Sequence, residues 1–541
     1  MPEPDYPPDV NAHIWRSCRN VSGRLRCGIL LDGRGGVEEW AQRVIELLSR
    51  EPAIAFESIY ILAAADTPVR PSGSMLFKWF NRCGSCTASP LRRVEIRAPV
   101  GVSIVAPGSG NDEVRAEIAV SHLDVVIWLE SSVLELDCTD LARFGVWNFC
   151  CGDPDERRSY PPYFREVATE STISTIALES NAGGGLVRRL AVCHLATQHG
   201  LRVTRNAVQP LSLAGPLLVR NLLNVLERES SLSALPTHAP DRRVPSWPGN
   251  FETASLVARQ AVRSVSLRFR SRGREGKWFV AVRNNREQFR ARENQFVPSG
   301  FRDVVSSGGS QFADPFVVDH NGRHWLFVED IPAGASKGRL AVMELDRDGG
   351  CGPPVTILER PFHLSYPFVF GDGGEFFMIP ETSANNNIEL YRATRFPFEW
   401  KLEKVLCSNV RAVDTTALLS GGIWYFFTTS ARLGHETFLF WSESLGGEWH
   451  YHPRNPICCD VRRARGAGPL FQSRGALIRP AQDCSVRYGY AIALNRVLRI
   501  SPTDYEEELT EVIYPTWRKG LLGTHTLSSN DSFEAIDGLR N

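Results

Sequence analysis

Five carboxylic acid residues recur at matching positions in the C-terminal half of the sequence. The same layout, two apolar runs joined by a turn, occurs four times and opens at Pro315, Pro367, Thr415 and Pro469. An acidic residue directly precedes two of these openers, and an acidic residue follows three of them by fourteen positions. We predict that the five side chains converge as catalytic groups: Asp314, Glu329, Glu381, Asp414 and Asp483.

Clustered carboxylates suit the chemistry of glycosidic bonds. A protonated acid assists the leaving oxygen, while an ionised carboxylate activates water or attacks the sugar. Crowding raises some of the carboxyl pKa values by mutual repulsion, and this supplies the protonated acid. The sequence leaves a structural alternative open, in which these residues cap turns or pair with Arg411, Arg465 or Arg479.

Four further residues are candidates for binding a substrate. Arg479 and Gln482 stand close to Asp483 and can hydrogen-bond to sugar hydroxyls or to an anionic group. Tyr366 offers an aromatic face on which a sugar ring can stack, and His363 lies just before the same apolar run.

The elements that carry these residues are predicted to be the blades of a β-propeller. Asn321-Gly322 joins two apolar runs, which is a strong hairpin signal because both turn positions need a positive φ. The layout returns after about 50 residues, a period typical of propeller blades. Four units make four blades, and KWFVAVR (277–283) is expected to pair with the end of the chain (524–538) to close a fifth. First strands line the axis of a propeller, so we expect the five carboxylates at one mouth.

The N-terminal half alternates apolar runs with amphipathic segments, which predicts an α/β domain with a parallel sheet. Residues 24–50 have the pattern of a buried strand, a glycine loop and a helix, and buried strands are predicted at 57–64, 123–131 and 144–151. The loop 32–36 lies where a helix N-terminus can hold a phosphate. It lacks the glycine spacing of a dinucleotide site.

These patterns divide the sequence into four parts. They are a flexible arm (1–23), an α/β domain (24–226), a linker with a short helix (227–275) and an all-β five-bladed propeller (276–541).

Composition excludes several classes of protein. The 541 residues include 61 basic and 61 acidic ones, so the chain lacks the positive excess expected of a nucleic-acid-binding protein. No apolar run is long enough to span a membrane, and no secretory signal is visible. We therefore expect a cytoplasmic protein whose 13 cysteines are mostly reduced. Cys83 and Cys86 form a single CxxC without the second pair that a zinc site needs, so neither a metal nor another cofactor is predicted.

The C-terminal half resembles a known protein family. The segments that carry the resemblance are FADPF, HLSYPFVF, MIPE, ELYRA, SLGGEWHYHPRNP and RPAQDCS. They are similar to the five-bladed propeller that precedes the transferase domain of plant glucosamine inositolphosphorylceramide transferases and to its bacterial relatives. This resemblance implies a role in glycoconjugate metabolism, with a sugar or glycoconjugate as substrate.

The propeller also resembles, more distantly, five-bladed glycoside hydrolases such as arabinanases and xylosidases. Those enzymes use an Asp in an Asp-Pro opener as general base, a second Asp that tunes a pKa, and a Glu as general acid. The resemblance implies the first role for Asp314, the second for Asp414 and the third for Glu381.

The N-terminal half resembles the folate-dependent formyltransferases. LDVVIWLES, FGVWNF and PPYFREVATESTISTIALE carry the resemblance, in the order of that family. It implies a Rossmann-like α/β domain with a degenerate site, because Asn148 matches the family's Asn while Cys150 stands in place of its His. The position of the later Asp falls in 181–185, which holds no carboxylate.

The sequence as a whole predicts a carbohydrate-active enzyme, a glycosyltransferase or a glycoside hydrolase, with its site at the propeller mouth. Two alternatives stay open. The propeller could be a non-catalytic glycan-binding or scaffold module, or the N-terminal domain could be a sugar N-formyl- or N-acyltransferase.

Overall fold

The computed structural model describes most of the chain. The described residues are 23–33, 35–63, 74–77, 90–106, 111–131, 141–155, 161–183, 186–198, 203–227, 232, 235–239, 248–270, 276–284, 296–306, 308–431, 435–473 and 475–541. The predicted arm before Gly23, the CxxC pair Cys83/Cys86 and much of the predicted linker lie outside them. The chain forms two compact units, which we call the N-terminal unit (18–270) and the propeller unit (271–541).

The N-terminal unit is built on one mixed sheet with helices. Its strands are β1 Leu25–Leu31, β2 Val37–Glu38, β3 Ile54–Ile61, β4 Arg93–Val94, β5 Ser103–Val105, β6 Val125–Trp128, β7 Val146–Cys151, β8 Ile173–Gly183, β9 Leu186–Ala196 and β10 Thr237–His238. Its helices are α1 Glu39–Leu48, α2 Asn111–Val120, α3 Phe164–Ala168, α4 Val208–Glu227 and α5 Asn250–Arg270, with a 3-10 turn at Val203–Ala207.

Eight strands form the main sheet of this unit, in the order β10-β9-β8-β7-β6-β1-β3-β5. The neighbours from β7 to β5 pair in parallel, as predicted for the four buried strands, because the connections between them carry the chain back across the sheet. The strands β8, β9 and β10 extend the sheet antiparallel, which the sequence analysis did not predict. The helix α5 is longer than the short helix expected in the linker.

The propeller unit consists of five separate antiparallel sheets. The blades that follow one another along the chain are β13 Gln311–His320, β14 Arg323–Ile331, β15 Arg339–Leu345 and β16 Val355–Leu358; β17 Ser365–Asp372, β18 Glu375–Glu381, β19 Asn387–Arg395 and β20 Glu399–Ser408; β21 Ala412–Ser420, β22 Ile423–Ser430, β23 Thr437–Ser442 and β24 His450–Tyr451; and β25 Arg465–Gly466, β26 Phe471–Ser473, β27 Ala476–Asp483, β28 Ala491–Ile500 and β29 Tyr505–Ile513. A 3-10 turn at Ser383–Asn385 follows β18.

Strands from both ends of the propeller unit build the fifth blade. They are β11 Lys277–Asn284, β12 Arg302–Asp303, β30 Leu521–Gly523, β31 Leu527–Ser529 and β32 Phe533–Arg540. All eight residues of β11 pair antiparallel with β32, which confirms the predicted closure. Closing the ring in this way joins strands that would otherwise be open sheet edges. The chain therefore contains a five-bladed β-propeller.

Buried aromatic and aliphatic side chains fill the space between blades. Trp325 and Trp424 are buried in one continuous core with Phe327, Phe368 and Phe426. Among the described residues, we find no helix with the length and apolar character needed to cross a bilayer.

Candidate functional site

The first strands of three consecutive blades share the same irregularity. In each of these strands the ladder to the second strand shifts register, after Ala313 in β13, after Ser365 in β17 and after Val413 in β21. The next residue has a left-handed backbone in every case: Asp314 (φ 50°), Tyr366 (φ 48°) and Asp414 (φ 52°). A non-glycine residue in this conformation costs about 1–3 kcal/mol, and such strain collects at functional sites. The bulges change the direction of these three side chains, which lie at the same level of the propeller.

The predicted register between opener and acid is confirmed in three blades. Glu329 pairs with Ala313 and Glu381 pairs with Ser365, in the same way that Thr429 pairs with Val413. The fourth blade differs by one residue, because Gln482 pairs with Arg465 at this level.

Asp314 is buried and accepts two hydrogen bonds. Its Oδ1 accepts from the hydroxyl of Thr526 (2.7 Å), and its Oδ2 accepts from the backbone N–H of Tyr366 (3.1 Å). Its own N–H donates to Oδ2 of Asp537 (3.3 Å). Burial raises the pKa of the Asp314 carboxyl; His525 acts against this, and Asp537 adds to it.

An imidazole lies between Asp314 and Asp537. The Nδ1 of His525 is 2.5 Å from Oδ2 of Asp537, and its Nε2 is 3.9 Å from Oδ1 of Asp314. Trp278 stacks on the imidazole ring at 4.0 Å. Burial lowers the pKa of His525, but Asp537 and Asp314 outweigh it, so the pKa is raised. The three groups are close enough to share a metal ion.

Asp414 is held by the side chains of Arg465 and Gln482. Its Oδ2 accepts from Nε of Arg465 (2.5 Å) and from Nε2 of Gln482 (3.1 Å). Burial raises the pKa of Asp414 to about 7; Arg465 opposes the rise, while Glu381 and Asp314 add to it. A carboxyl group with this pKa is protonated in part of the molecules at neutral pH and can exchange a proton there.

Glu381 shares Arg465 with Asp414. Its Oε2 lies 3.5 Å from Nη2 of Arg465, and its Oε1 accepts from the hydroxyl of Ser383 (2.7 Å). The side chains of Glu381 and Arg465 are 12% and 16% exposed, whereas that of Asp414 is 3% exposed. A ligand arriving from solvent would therefore meet Glu381 and Arg465 first.

Glu329 is buried among other carboxylates. Burial raises its pKa well above the usual range, and the charges of Asp314, Glu381 and Asp537 add to the rise. The Nε2 of the half-exposed His363 is 3.4 Å from Oε1 of Glu329, an atom without a hydrogen bond. The Nδ1 of His363 accepts from the N–H of Gly338 (2.9 Å). His363 thus lies beside Glu329, which is the kind of position expected for a candidate substrate-binding residue.

The structure brings four of the five predicted acids together. With Asp537 they make up a set that we call the carboxylate cluster: Asp314, Glu329, Glu381, Asp414 and Asp537. The side chains of Arg465 and His525 lie within it.

Asp483 does not join the carboxylate cluster, so the expectation that all five acids converge was wrong for this residue. Successive side chains of a strand point to opposite faces. Gln482 points to Asp414, and Asp483 therefore faces the other way, where it accepts from the N–H of Ser485 (2.8 Å). Burial raises the pKa of Asp483, with Asp460 adding to the rise.

Arg479 and Tyr366 have structural partners that the sequence did not predict. Arg479 is buried, and its Nε and Nη2 each donate to the carboxylate of Glu507 at 2.7 Å. Tyr366 is fully buried, and its hydroxyl lies 2.8 Å from that of Thr416 and accepts from the N–H of Gly468 (2.8 Å). The ring of Tyr366 is therefore not open for a sugar to stack on, although its backbone N–H does support Asp314.

Three residues of the site were missed by the sequence analysis. Asp537 and His525 lie on either side of a shorter hairpin in the fifth blade, to which the fourteen-residue spacing does not apply. Arg465 was considered only as a partner for acids, because the fourth unit was aligned on Pro469 instead of on the Arg465-Gly466 pair. A glycine is required at 466, since a Cβ there would lie 2.6 Å from the backbone oxygen of Asp414.

In the N-terminal unit, the glycine loop that follows β1 lies beside acidic side chains. The first N–H groups of α1, those of Glu39 and Trp40, already bond to backbone oxygens of Arg92 and Pro90 (2.9 and 3.1 Å). Arg93 donates to Oδ1 of Asp32 (2.8 Å) and lies 3.2 Å from Glu130. This arrangement does not suit the phosphate considered from the sequence, because the donors are taken and carboxylates surround the loop.

Asn148 and Cys150 lie on β7, in the interior of the same sheet. Asn148 pairs with Trp128 and Glu179 in the ladders on either side. Cys150 is fully buried, with its Sγ 3.8 Å from the backbone oxygen of Gly152. Their assignment to a degenerate formyltransferase site stays a prediction from the sequence.

Comparison with known proteins shows what the propeller is similar to. Residues 301–522, which include the four blades that follow one another along the chain, match the family described as glucosamine inositolphosphorylceramide transferase 1, N-terminal. Among curated proteins, the chain is similar to glucosamine inositolphosphorylceramide transferase 1 of Oryza sativa subsp. japonica, with 33% identity over 254 residues, 46% of this chain and 32% of the rice protein. The protein of the same name from Arabidopsis thaliana is 32% identical over 42% of this chain and 29% of its own length. The chain thus spans about a third of the length of these plant relatives.

Solved structures with similar folds include glycoside hydrolases. One is a GH43_1 enzyme from Xanthomonas citri complexed with xylotriose, at 10% identity and a TM-score of 0.32, covering 38% of this chain and 77% of that one. Another is an exo-β-1,3-galactanase from Clostridium thermocellum, at 12% identity and a TM-score of 0.31, covering 44% and 60%. Identities this low say nothing about activity.

Proposed function

We propose that the propeller unit is a carbohydrate-active module that acts on a sugar or glycoconjugate at the carboxylate cluster. The strongest support is that the carboxylate cluster lowers the stability of the folded protein. Asp314 and Asp414 sit in strained left-handed conformations, and their carboxyls are buried against like charges. Residues that destabilise the folded protein are concentrated at functional sites. In a purely structural role, neutral residues would stabilise the fold better.

The similarity of residues 301–522 to the N-terminal region of a glucosamine inositolphosphorylceramide transferase supports the carbohydrate part of the proposal. The relatives carry the name glucosamine inositolphosphorylceramide transferase 1, and the matched region here contains Asp314, Glu381 and Asp414.

In the proposed reaction, the roles follow from charge and position. Glu381 meets the substrate, because it is the most exposed acid of the cluster. Asp414, with a pKa of about 7, exchanges the proton that general acid–base catalysis of glycosidic bond cleavage or transfer requires. Asp314, between the backbone N–H of Tyr366 and the hydroxyl of Thr526, is the candidate base.

Asp314→Asn tests this assignment. An amide keeps the shape and relieves the buried charge, so we expect the thermal midpoint to stay the same or to rise. Turnover of any glycoside or sugar nucleotide that the wild type processes should fall by about 10²–10⁴-fold, as for loss of a positioned acid–base group. Unchanged turnover would show that Asp314 is not the base, and a collapse of the midpoint together with turnover would show a structural residue.

A non-catalytic glycan-binding module is the second candidate. The nearly complete burial of Asp314, Asp414 and Glu329 favours it, because a substrate could not reach these carboxyl groups directly. In that case the wild type binds a glycan without turning it over, and Asp314→Asn leaves the affinity unchanged.

A further inference from the structure

We propose that Tyr488 is the platform on which a sugar ring stacks at the mouth of the carboxylate cluster, with Arg465, whose guanidinium lies over the ring, and Glu381 as hydrogen-bonding partners. This inference rests on the proposed function, because it takes the ligand to be a carbohydrate. The sequence analysis assigned the stacking role to Tyr366, which the fold buries.

The exposure of Tyr488 is unusual for this unit. The most exposed phenylalanine, tyrosine or tryptophan side chains among the described residues of 276–541 are Tyr488 (51%) and Tyr514 (48%). An exposed aromatic side chain alone means little, but Tyr488 lies directly against the cluster. The Arg465 guanidinium lies over its ring, 4.8 Å from the centre, and the ring of His525 lies 5.5 Å away, edge to face at 87°.

The backbone next to Tyr488 is fixed against the floor of the site. Gly489 has a left-handed φ of 62°, and a Cβ at this residue would lie 2.9 Å from Cβ of His525 and 3.0 Å from the ring of Trp278. Its carbonyl oxygen accepts from the N–H of Thr524 (2.9 Å). A glycine is required here for the loop to come down onto the His525–Trp278 stack, and the loop in turn fixes where Tyr488 lies.

Both ends of the same loop are also held by backbone hydrogen bonds. The N–H of Cys484 donates to the backbone oxygen of Val461 (2.9 Å), and the N–H of Tyr490 donates to that of Asp483 (3.1 Å). Tyr488 is thus held in place before any ligand arrives. A preorganised aromatic ring loses little conformational entropy on binding.

The chemistry around the ring matches a sugar. The face of a pyranose is made of C–H groups and packs on an aromatic ring, while its hydroxyls need donors and acceptors at the edge. Arg465 offers donors and Glu381 offers an acceptor, and their side chains are more exposed than that of Asp414. A ligand without an apolar ring face, such as a free phosphate, would use Arg465 but gain nothing from Tyr488.

The test is saturation-transfer NMR and calorimetric titration of the full chain with the methyl glycosides of glucose, N-acetylglucosamine, xylose and arabinose. We expect at least one of them to bind to the wild type, and Tyr488→Ser to weaken that binding about tenfold. Tyr488→Phe should keep the affinity, because stacking needs the ring and not the hydroxyl. Tyr514→Ser, a change of the same kind at a similarly exposed tyrosine, should have no effect.

The outcomes separate the inference from the proposed function. A sugar that binds equally well to wild type and Tyr488→Ser would overturn the stacking role and leave the carbohydrate site standing. Loss of binding in Tyr488→Phe would replace stacking by a hydrogen bond from the hydroxyl. If none of the four glycosides binds to the wild type, the inference falls together with the carbohydrate function on which it rests.

Discussion

Asp414 illustrates how a single carboxyl group can make the folded protein sensitive to pH. Its pKa is about 7 in the fold, against an ordinary value near 3.8, chiefly because of burial. Between these two values the folded state keeps a proton that the unfolded state has released. Stability from this group is therefore complete below about pH 4 and is lost as pH rises through 7.

Asp414→Asn should remove that part of the pH dependence. The amide has no charge to bury, so β21 should keep its protection between pH 5 and 8, where the wild type loses it. Hydrogen-exchange mass spectrometry, corrected for the intrinsic effect of pH on exchange, measures this. The exposed Asp531→Asn serves as the control and should follow the wild type. An unchanged pH slope in Asp414→Asn would show that Arg465 keeps the carboxylate ionised throughout.

At this scale the sequence predicted the acids of the repeat but not their environment. Glu329 and Glu381 were found because their spacing from the opener reflects a hairpin of constant length. Asp483 was placed wrongly because a shift of one residue in a strand turns a side chain to the other face. No local pattern indicates that Tyr366 is buried or that Tyr488 is exposed, since both depend on how neighbouring blades meet.

Among the elements, the pair β11 and β32 holds the ring closed, and a buried ion pair joins the two strands. Nε of Arg283 donates to Glu534 at 2.6 Å, and both side chains are nearly inaccessible. Arg283 also donates to the backbone oxygen of Ser299 (2.9 Å) and lies over the ring of Phe301. The guanidinium therefore ties β11, β32 and the segment before β12 together.

Glu534→Ala should destabilise the propeller unit by about 3 kcal/mol or more, because it leaves a charged guanidinium buried without its carboxylate. The measurement is the shift of the unfolding transition in urea. Glu344→Ala breaks the exposed pair with Arg323 between β15 and β14 and should barely move the same transition. Equal shifts for the two variants would contradict the role assigned to the closing pair.

In the N-terminal unit, several carboxyl groups lie close together beside the ends of β1 and β6. Burial raises the pKa of Glu130 to about 8, with Asp32 and Glu38 adding to the rise and Arg93 opposing it. This carboxyl keeps a proton at neutral pH in the fold, so its contribution to stability is complete below about pH 4.5 and is lost as pH rises through 8.

Glu130→Gln should preserve the protection of β6 above pH 8, because an amide can accept from Arg93 without a buried charge. Hydrogen exchange of peptides covering 125–128 at pH 7 and 9 tests this, with the exposed Glu117→Gln on α2 as the control. If wild type and Glu130→Gln lose protection equally, Arg93 and not burial determines the ionisation of Glu130.

For the whole molecule, the period of the sequence predicted the five-bladed ring and its closure, because each blade repeats the same hairpin. It predicted the parallel strands of the N-terminal unit from their continuous apolar runs. The antiparallel strands β8 and β9 were not recognised, since their side chains alternate only weakly between buried and exposed. Formyl transfer by the N-terminal unit stays an alternative from the sequence, and the sheet topology does not test it.

The proposed function requires the chain to hold a carbohydrate at the carboxylate cluster, and a binding measurement can show whether it does. The full chain should be screened against an array of glycans and sugar nucleotides, with wild type and Glu381→Gln side by side. Glu381 is the most exposed acid of the cluster, so its neutral isostere keeps the fold but loses the charged acceptor. We predict binding by the wild type and a loss of about tenfold or more in the variant, as expected for a hydrogen bond to a charged group. Absence of any glycan binding by the wild type, or equal binding by both proteins, would contradict the account.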